Sequence, residues 1–203
     1  MSLHADAVAV LSDWAAPDGP QEALRRRYLR HLHDHADAMS RHCTPAHLTA
    51  SSLVVSSDHT RVLLTLHARL GRWLQTGGHC EGDLFLAAAA LRETREESGI
   101  PSLLIDPVPV LLSAHAEACG TVPAATHFDV QYLCLAPENA VAVHSEESLE
   151  LAWFGVDKLP AGTDESVRAL VHACLARLAQ SASEAASASS SQPSPAAADT
   201  PSR

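Results

Sequence analysis

The sequence predicts an α/β fold behind a helical prefix, and three observations carry that expectation. Short runs of strand character at residues 52–56, 62–66, 110–115, 126–136 and 149–154 alternate with turn residues. Residues 77–100 join a double glycine to an alanine-rich helix with a dense charged end. Residues 164–178 repeat Val167, Leu170, Val171, Cys174, Leu175 and Leu178 at helical spacing, the mark of a second amphipathic helix. The expected organisation is a helical extension over residues 1–48, one domain over 49–180, and a Ser/Ala/Pro tail over 181–203. That tail has almost no large apolar side chains to offset the entropy of ordering, so disorder is expected there.

Composition narrows the function. The 203 residues carry a formal net charge of −10, which disfavours a general nucleic-acid binder because such proteins need a basic face. A small anionic substrate stays open, since a bound cation inverts the local field. There is no apolar run long enough to span a bilayer and no charged n-region before an apolar h-region, so neither a membrane nor a secreted protein is expected. A cytoplasmic protein with free thiols fits the five cysteines, which are scattered without CxxC spacing.

Taken in order, residues 3–16 have helical periodicity, broken by the Pro17-Asp18-Gly19-Pro20 cluster. A second helix is expected from Gln21 to about Cys43. Its His31 and His35 stand four apart, but no cysteine or carboxylate follows at zinc-site spacing, so solvated histidines are expected. Residues 45–49 read as a link, and the strands at 52–56 and 62–66 form a hairpin. Trp73-Leu74-Gln75 then leads into Gly77-Gly78. Further on, His127, Asp129 and Gln131 alternate with Phe128, Val130 and Tyr132, so the strand has one polar and one apolar row. With His115, the polar row is expected to line a pocket. A charged loop at 144–148 precedes the strand that ends in Trp153-Phe154.

The helix after the double glycine carries the chemistry. Leu84, Ala87, Ala88 and Leu91 would form its buried stripe, Asp83 its N-cap and Gly99 its left-handed C-cap. Glu93, Glu96 and Glu97 share one side. Like charges at these spacings cost roughly 0.2–0.5 kcal/mol each, which Arg92 and Arg95 relieve in part and a hard divalent cation relieves further.

Residues 78–100 resemble the Nudix box, G-x5-E-x7-R-E-U-x-E-E-x-G-U with U a bulky apolar residue. Gly78, Arg92, Glu93, Glu96, Glu97, Gly99 and Ile100 fall on motif positions. Leu84 stands in place of the first glutamate, for which Asp83 or Glu81 could substitute, and Thr94 stands in place of the first U. The resemblance covers about residues 50–180. It implies an α/β/α sandwich with a mixed curved sheet and an enzyme that hydrolyses a diphosphate bond in a nucleoside diphosphate linked to another group. It also implies Mg2+ or Mn2+ held by Glu93, Glu96, Glu97 and the Gly78 carbonyl. Arg92 would brace the glutamates, while Glu97 or Glu147, a loop glutamate six residues before Trp153, would take the proton of the attacking water.

Substrate contacts are expected from His115, His127, Asp129 and Arg69. Members of the family are often dimers, so a homodimer is open. Two other classes are weighed. An isomerase of the superfamily would need a suitably placed cysteine, which is lacking; a non-catalytic nucleotide sensor would explain Leu84. The proline that marks many ADP-ribose-specific members is absent, its position being Ala114, so the substrate stays open.

Overall fold

The computed structural model describes residues 2–117, 125–143 and 148–190. Its organising strand is β1 (Ala46–Val55), ten residues buried throughout. Burial on both faces requires helices on both sides, and the neighbours supply them. β2 (Arg61–His67) pairs antiparallel with one end of β1 and β4 (Thr76–His79) with the other, while β3 (Trp73–Leu74) lies against β2. On its other edge β1 runs parallel to β7 (Ala125–Leu135) over their full paired length. β7 also carries β5 (Leu104–Ile105) and β6 (Leu111–Glu117), both antiparallel, and β8 (Ser148–Gly155) adds to β2. The result is an eight-stranded mixed sheet.

Side-chain parity along β1 divides the two faces. Ala46, Leu48 and Ala50 pack with α1 (Leu3–Asp13), α2 (Gly19–Asp34) and α3 (Leu86–Ser98) through Leu11, Tyr28, Leu32, Leu86, Ala89 and Ala90. Leu53 and Val55, of the opposite parity, pack beneath α4 (Glu165–Ser190) with Val167, Leu170, Val171 and Cys174. The expected sandwich is present, and the N-terminal helices share the core on the α3 side. Trp14 Nε1 donates to Pro109 O at 2.7 Å, and Tyr28 stacks on Phe128.

Several boundaries differ from expectation. α2 stops at Asp34 rather than Cys43, and turns fill residues 36–42. The anticipated link at 45–49 is strand, because β1 finds a partner in β7 from Ala46 onward. α4 runs on to Ser190 rather than ending at Leu178. Residues 191–203 lie outside the described residues.

α3 begins at Leu86, with Phe85 at the N-cap position and no capping bond from that side chain. A carboxylate from another element takes over, since Asp6 of α1 accepts from Leu86 N at 2.8 Å. The later start moves the buried stripe to Leu86, Ala89, Ala90, Thr94 and Ser98, and leaves Leu84 58% exposed. Gly99 closes the helix in the left-handed conformation at φ 66°, as expected of a glycine C-cap. Asp6→Ala removes both the cap and the charge that suits a helix N-terminus. It is expected to cost about 0.5–2 kcal/mol, lowering Tm by about 2–4 °C per kcal/mol. An unchanged melting curve would show that Asp6 contributes no cap.

Candidate active site and the polar face beside it

Two glycines of β4 let α3 lie close against the sheet. A Cβ on Gly78 would stand 2.7 Å from Glu93 Cδ and 2.8 Å from Glu93 Oε2, so glycine is what admits the carboxylate there. Gly77 N donates to Glu97 Oε1 at 2.9 Å. Arg92 binds these parts together. Its Nη1 donates to Glu93 Oε1 at 2.9 Å and Glu96 Oε2 at 3.1 Å, and its Nη2 to His79 O at 3.0 Å. Its Nε and Nη2 also donate to Asp83 Oδ2 at 3.0 and 2.9 Å.

These contacts account for both departures from the motif. Leu84 points to solvent, and Asp83, one residue earlier, pairs with Arg92. Glu81 turns elsewhere, accepting from Arg41 N at 2.6 Å and Arg41 Nε at 3.0 Å. Thr94 is fully buried, but its neighbours are hydroxyls, Ser52 Oγ at 2.6 Å and Thr76 Oγ1 at 3.1 Å. A polar group in the core is tolerated when its hydrogen bonds are met, as they are here.

On the face away from α3, β1 and β7 are polar over one half and apolar over the other. Thr49 and Ser51 lie in register with Asp129 and Gln131; two residues later Leu53 meets Leu133. Asp129 is buried and accepts from Thr49 Oγ1 at 3.1 Å, Ser51 Oγ at 2.6 Å and Gln131 Nε2 at 3.1 Å. Gln75 Nε2 reaches it at 3.5 Å. His47, His79, His115 and His127 adjoin this network. The polar row of β7 is therefore an enclosed hydrogen-bonded face. The polar row His127, Asp129 and Gln131, with His115, is legible in the sequence; His47, Thr49, Ser51, Gln75 and His79 are not. The alternation His47-Thr49-Ser51 is the available signal, and a link over residues 45–49 hides it.

Arg69 lies in the exposed β2–β3 turn, where its backbone N–H donates to His67 Nδ1 at 3.3 Å. Glu147 lies outside the described residues.

Burial raises the Asp129 pKa above its ordinary 3.8, outweighing the hydrogen bonds from Ser51, Gln131 and Thr49 and the nearby His115 charge. Burial lowers that of His47, against the bond to Cys43 O. A carboxyl with a raised folded pKa contributes stability below its unfolded pKa and loses it as pH climbs through the folded value. From about pH 4 upward, wild-type stability should therefore fall relative to Asp129→Asn, which has no charge to bury. Urea midpoints of both proteins between pH 4 and 8 measure this. Parallel curves would refute it.

The NUDIX domain family model matches residues 46–174, more than half of the chain, and the protein belongs to that family. Two solved structures, the first two below, share the fold at low identity. A Caenorhabditis elegans Ap4A hydrolase complex is 17% identical, covering 66% of this chain and 98% of its own, with TM-score 0.53. A Jonesia denitrificans structure described as a possible asymmetric diadenosine tetraphosphate hydrolase is also 17% identical, covering 64% and 92%, with TM-score 0.50. A NUDIX-family hydrolase from Clostridium perfringens is 24% identical, covering 64% and 95%, with TM-score 0.49. No curated protein matches the sequence. None of the described helices is long and apolar enough to cross a membrane.

The residues present suit the divalent cation that the family implies. Glu93, Glu96 and Glu97 offer hard oxygen donors, the chemistry Mg2+ and Mn2+ prefer. The Glu93 carboxyl also lies where a Gly78 side chain would otherwise be, so strand and helix donors share one small region.

Proposed function

We propose that the protein hydrolyses a diphosphate linkage in a nucleoside diphosphate joined to another group, with Mg2+ or Mn2+ held by Glu93, Glu96, Glu97 and the Gly78 carbonyl. The observation that carries this reading is the docking of Glu93 and Glu97 on the double glycine, with Arg92 bridging Glu93, Glu96 and Asp83. When bound, the cation neutralises charge on the phosphoryl oxygens and lowers the pKa of a coordinated water.

The chain's own residues supply the remainder. Arg92 is a positioning residue, holding two of the three carboxylates while its own charge is matched by Asp83. Glu97, or Glu147, accepts the proton of the attacking water. Gly77 N–H steadies Glu97 for that role, because a backbone donor fixes one carboxylate oxygen and leaves the group little freedom to swing away. Of the expected substrate contacts, His115 and Arg69 are exposed to a ligand, whereas His127 and Asp129 are enclosed in the hydrogen-bonded face. Asp83, by occupying the ionic role that Leu84 lacks, favours retained catalysis over a sensor.

The test is formation of a nucleoside monophosphate, resolved by anion-exchange chromatography, from a panel of nucleoside diphosphate derivatives and diadenosine tetraphosphate, with Mg2+ or Mn2+. Metal-dependent turnover of one compound is expected. Ligand binding without turnover of any would make the protein a nucleotide sensor.

A further inference from the structure

Four strands each contribute one histidine to the same patch of the sheet. His47 on β1 stands opposite His127 on β7 in the parallel register, and His127 stands opposite His115 on β6. β4 brings His79 alongside from the other edge of β1. Ring centroids are 4.8 Å apart for His47 and His127, 5.2 Å for His47 and His79, and 5.4 Å for His79 and His127. One ring nitrogen from each of these three lies within 4.8 Å of the others. His115 is next in line, 5.5 Å from His127 between centroids.

We infer that His47, His79 and His127 form a binding site for a borderline transition-metal ion such as Zn2+, built from imidazole nitrogens rather than from the carboxylates of α3. Imidazole nitrogen suits zinc and its neighbours in the first transition row, whereas Mg2+ prefers oxygen. Three protein ligands with a fourth position for water or His115 is an arrangement zinc accepts. Zn–N bonds of about 2.0–2.1 Å in a tetrahedron place ligand atoms about 3.4 Å apart. The ring nitrogens therefore close by up to about 1.4 Å on binding, part of which His79, half-buried on a short strand beside a glycine, can supply.

An outer contact already orients one ligand. His47 Nδ1 lies 3.3 Å from Cys43 O, and since a carbonyl only accepts, that nitrogen carries the proton. In that tautomer the neutral ring carries its lone pair on Nε2. Ligating histidines characteristically donate their other N–H to a carbonyl or carboxylate in this way. The enclosure of His47 and His127 further removes the water that would compete for the ion.

A second group, His35, Asp37 and Cys43, also converges within 4.8 Å, and the test must separate the two. Full-length protein stripped with a chelator is titrated with Co2+ and Zn2+ in excess Mg2+. One tightly held ion per chain is expected, with visible absorption of four-coordinate Co2+ and no thiolate charge-transfer band. His79→Gln and His127→Gln should each weaken binding by more than about 100-fold, since losing an outer-shell partner alone costs roughly 10–100-fold. Cys43→Ser and Glu97→Gln should bind as wild type, so failure of the hydrolase reading leaves this one standing. A rise in Tm with Zn2+, absent in His79→Gln, gives a second readout should His127→Gln not fold. No bound ion in the wild type, or binding lost in Cys43→Ser and kept in His79→Gln, would overturn the assignment.

Discussion

Glu97→Gln is expected to lower turnover by roughly 100- to 10,000-fold, the range for a lost acid–base group, while leaving the fold intact. The substitution is close to isosteric, and the amide oxygen can still accept from Gly77 N–H, the bond that Glu97 Oε1 makes at 2.9 Å. Stability should stay within about 0.5 kcal/mol of wild type. What the variant loses is a charge and a proton acceptor. Titrating Mg2+ then distinguishes the two roles proposed for this carboxylate. If Glu97 chiefly holds the cation, high Mg2+ restores part of the rate; if it chiefly takes the proton, the rate stays low at every concentration. A variant with near-wild-type turnover would remove Glu97 from the mechanism altogether.

Local patterns in the sequence reported local structure well. The double glycine, Arg92, the three glutamates and Gly99 are found together as the motif spacing requires, because all lie within one strand–turn–helix unit. The errors lie where an element answers to something distant in the chain. The sequence places the start of α3 behind Asp83, but Asp83 is drawn to Arg92, and the cap comes from Asp6, eighty residues away. The stripe moved accordingly, from Leu84 and Ala88 to Leu86, Ala89 and Ala90.

The same holds for the candidate sites. His31 and His35 have no cysteine or carboxylate at zinc-site spacing, yet the turns after Asp34 bring Asp37 and Cys43 to His35. His47 and His79 had no partner visible in sequence, because their partner is the register between β1 and β7 and between β1 and β4. Periodicity marks which face a residue occupies; it does not mark which strand lies beside it.

Tyr28→Ala is expected to destabilise the protein by about 3–5 kcal/mol, the cost of deleting a large buried aromatic side chain. Total stabilities of single domains are about 5–15 kcal/mol, so the loss is a substantial share. Three contacts make up the effect. The Tyr28 ring is fully buried and stacks on Phe128 with centroids 4.4 Å apart and planes within 6°. Its hydroxyl donates to Ser113 O at 2.6 Å, an acceptor that alanine would leave without this donor. The same hydroxyl approaches Asp129 O at 3.4 Å, on the strand that carries the polar face. Tyr28→Phe keeps the ring and should cost only about 1–3 kcal/mol. Urea unfolding of the three proteins measures the series. A midpoint for Tyr28→Ala equal to that of wild type would mean that α2 is an appendage. The expected fall would establish that residues 1–34, which precede the family match, are part of the core on which β7 and its histidines are aligned.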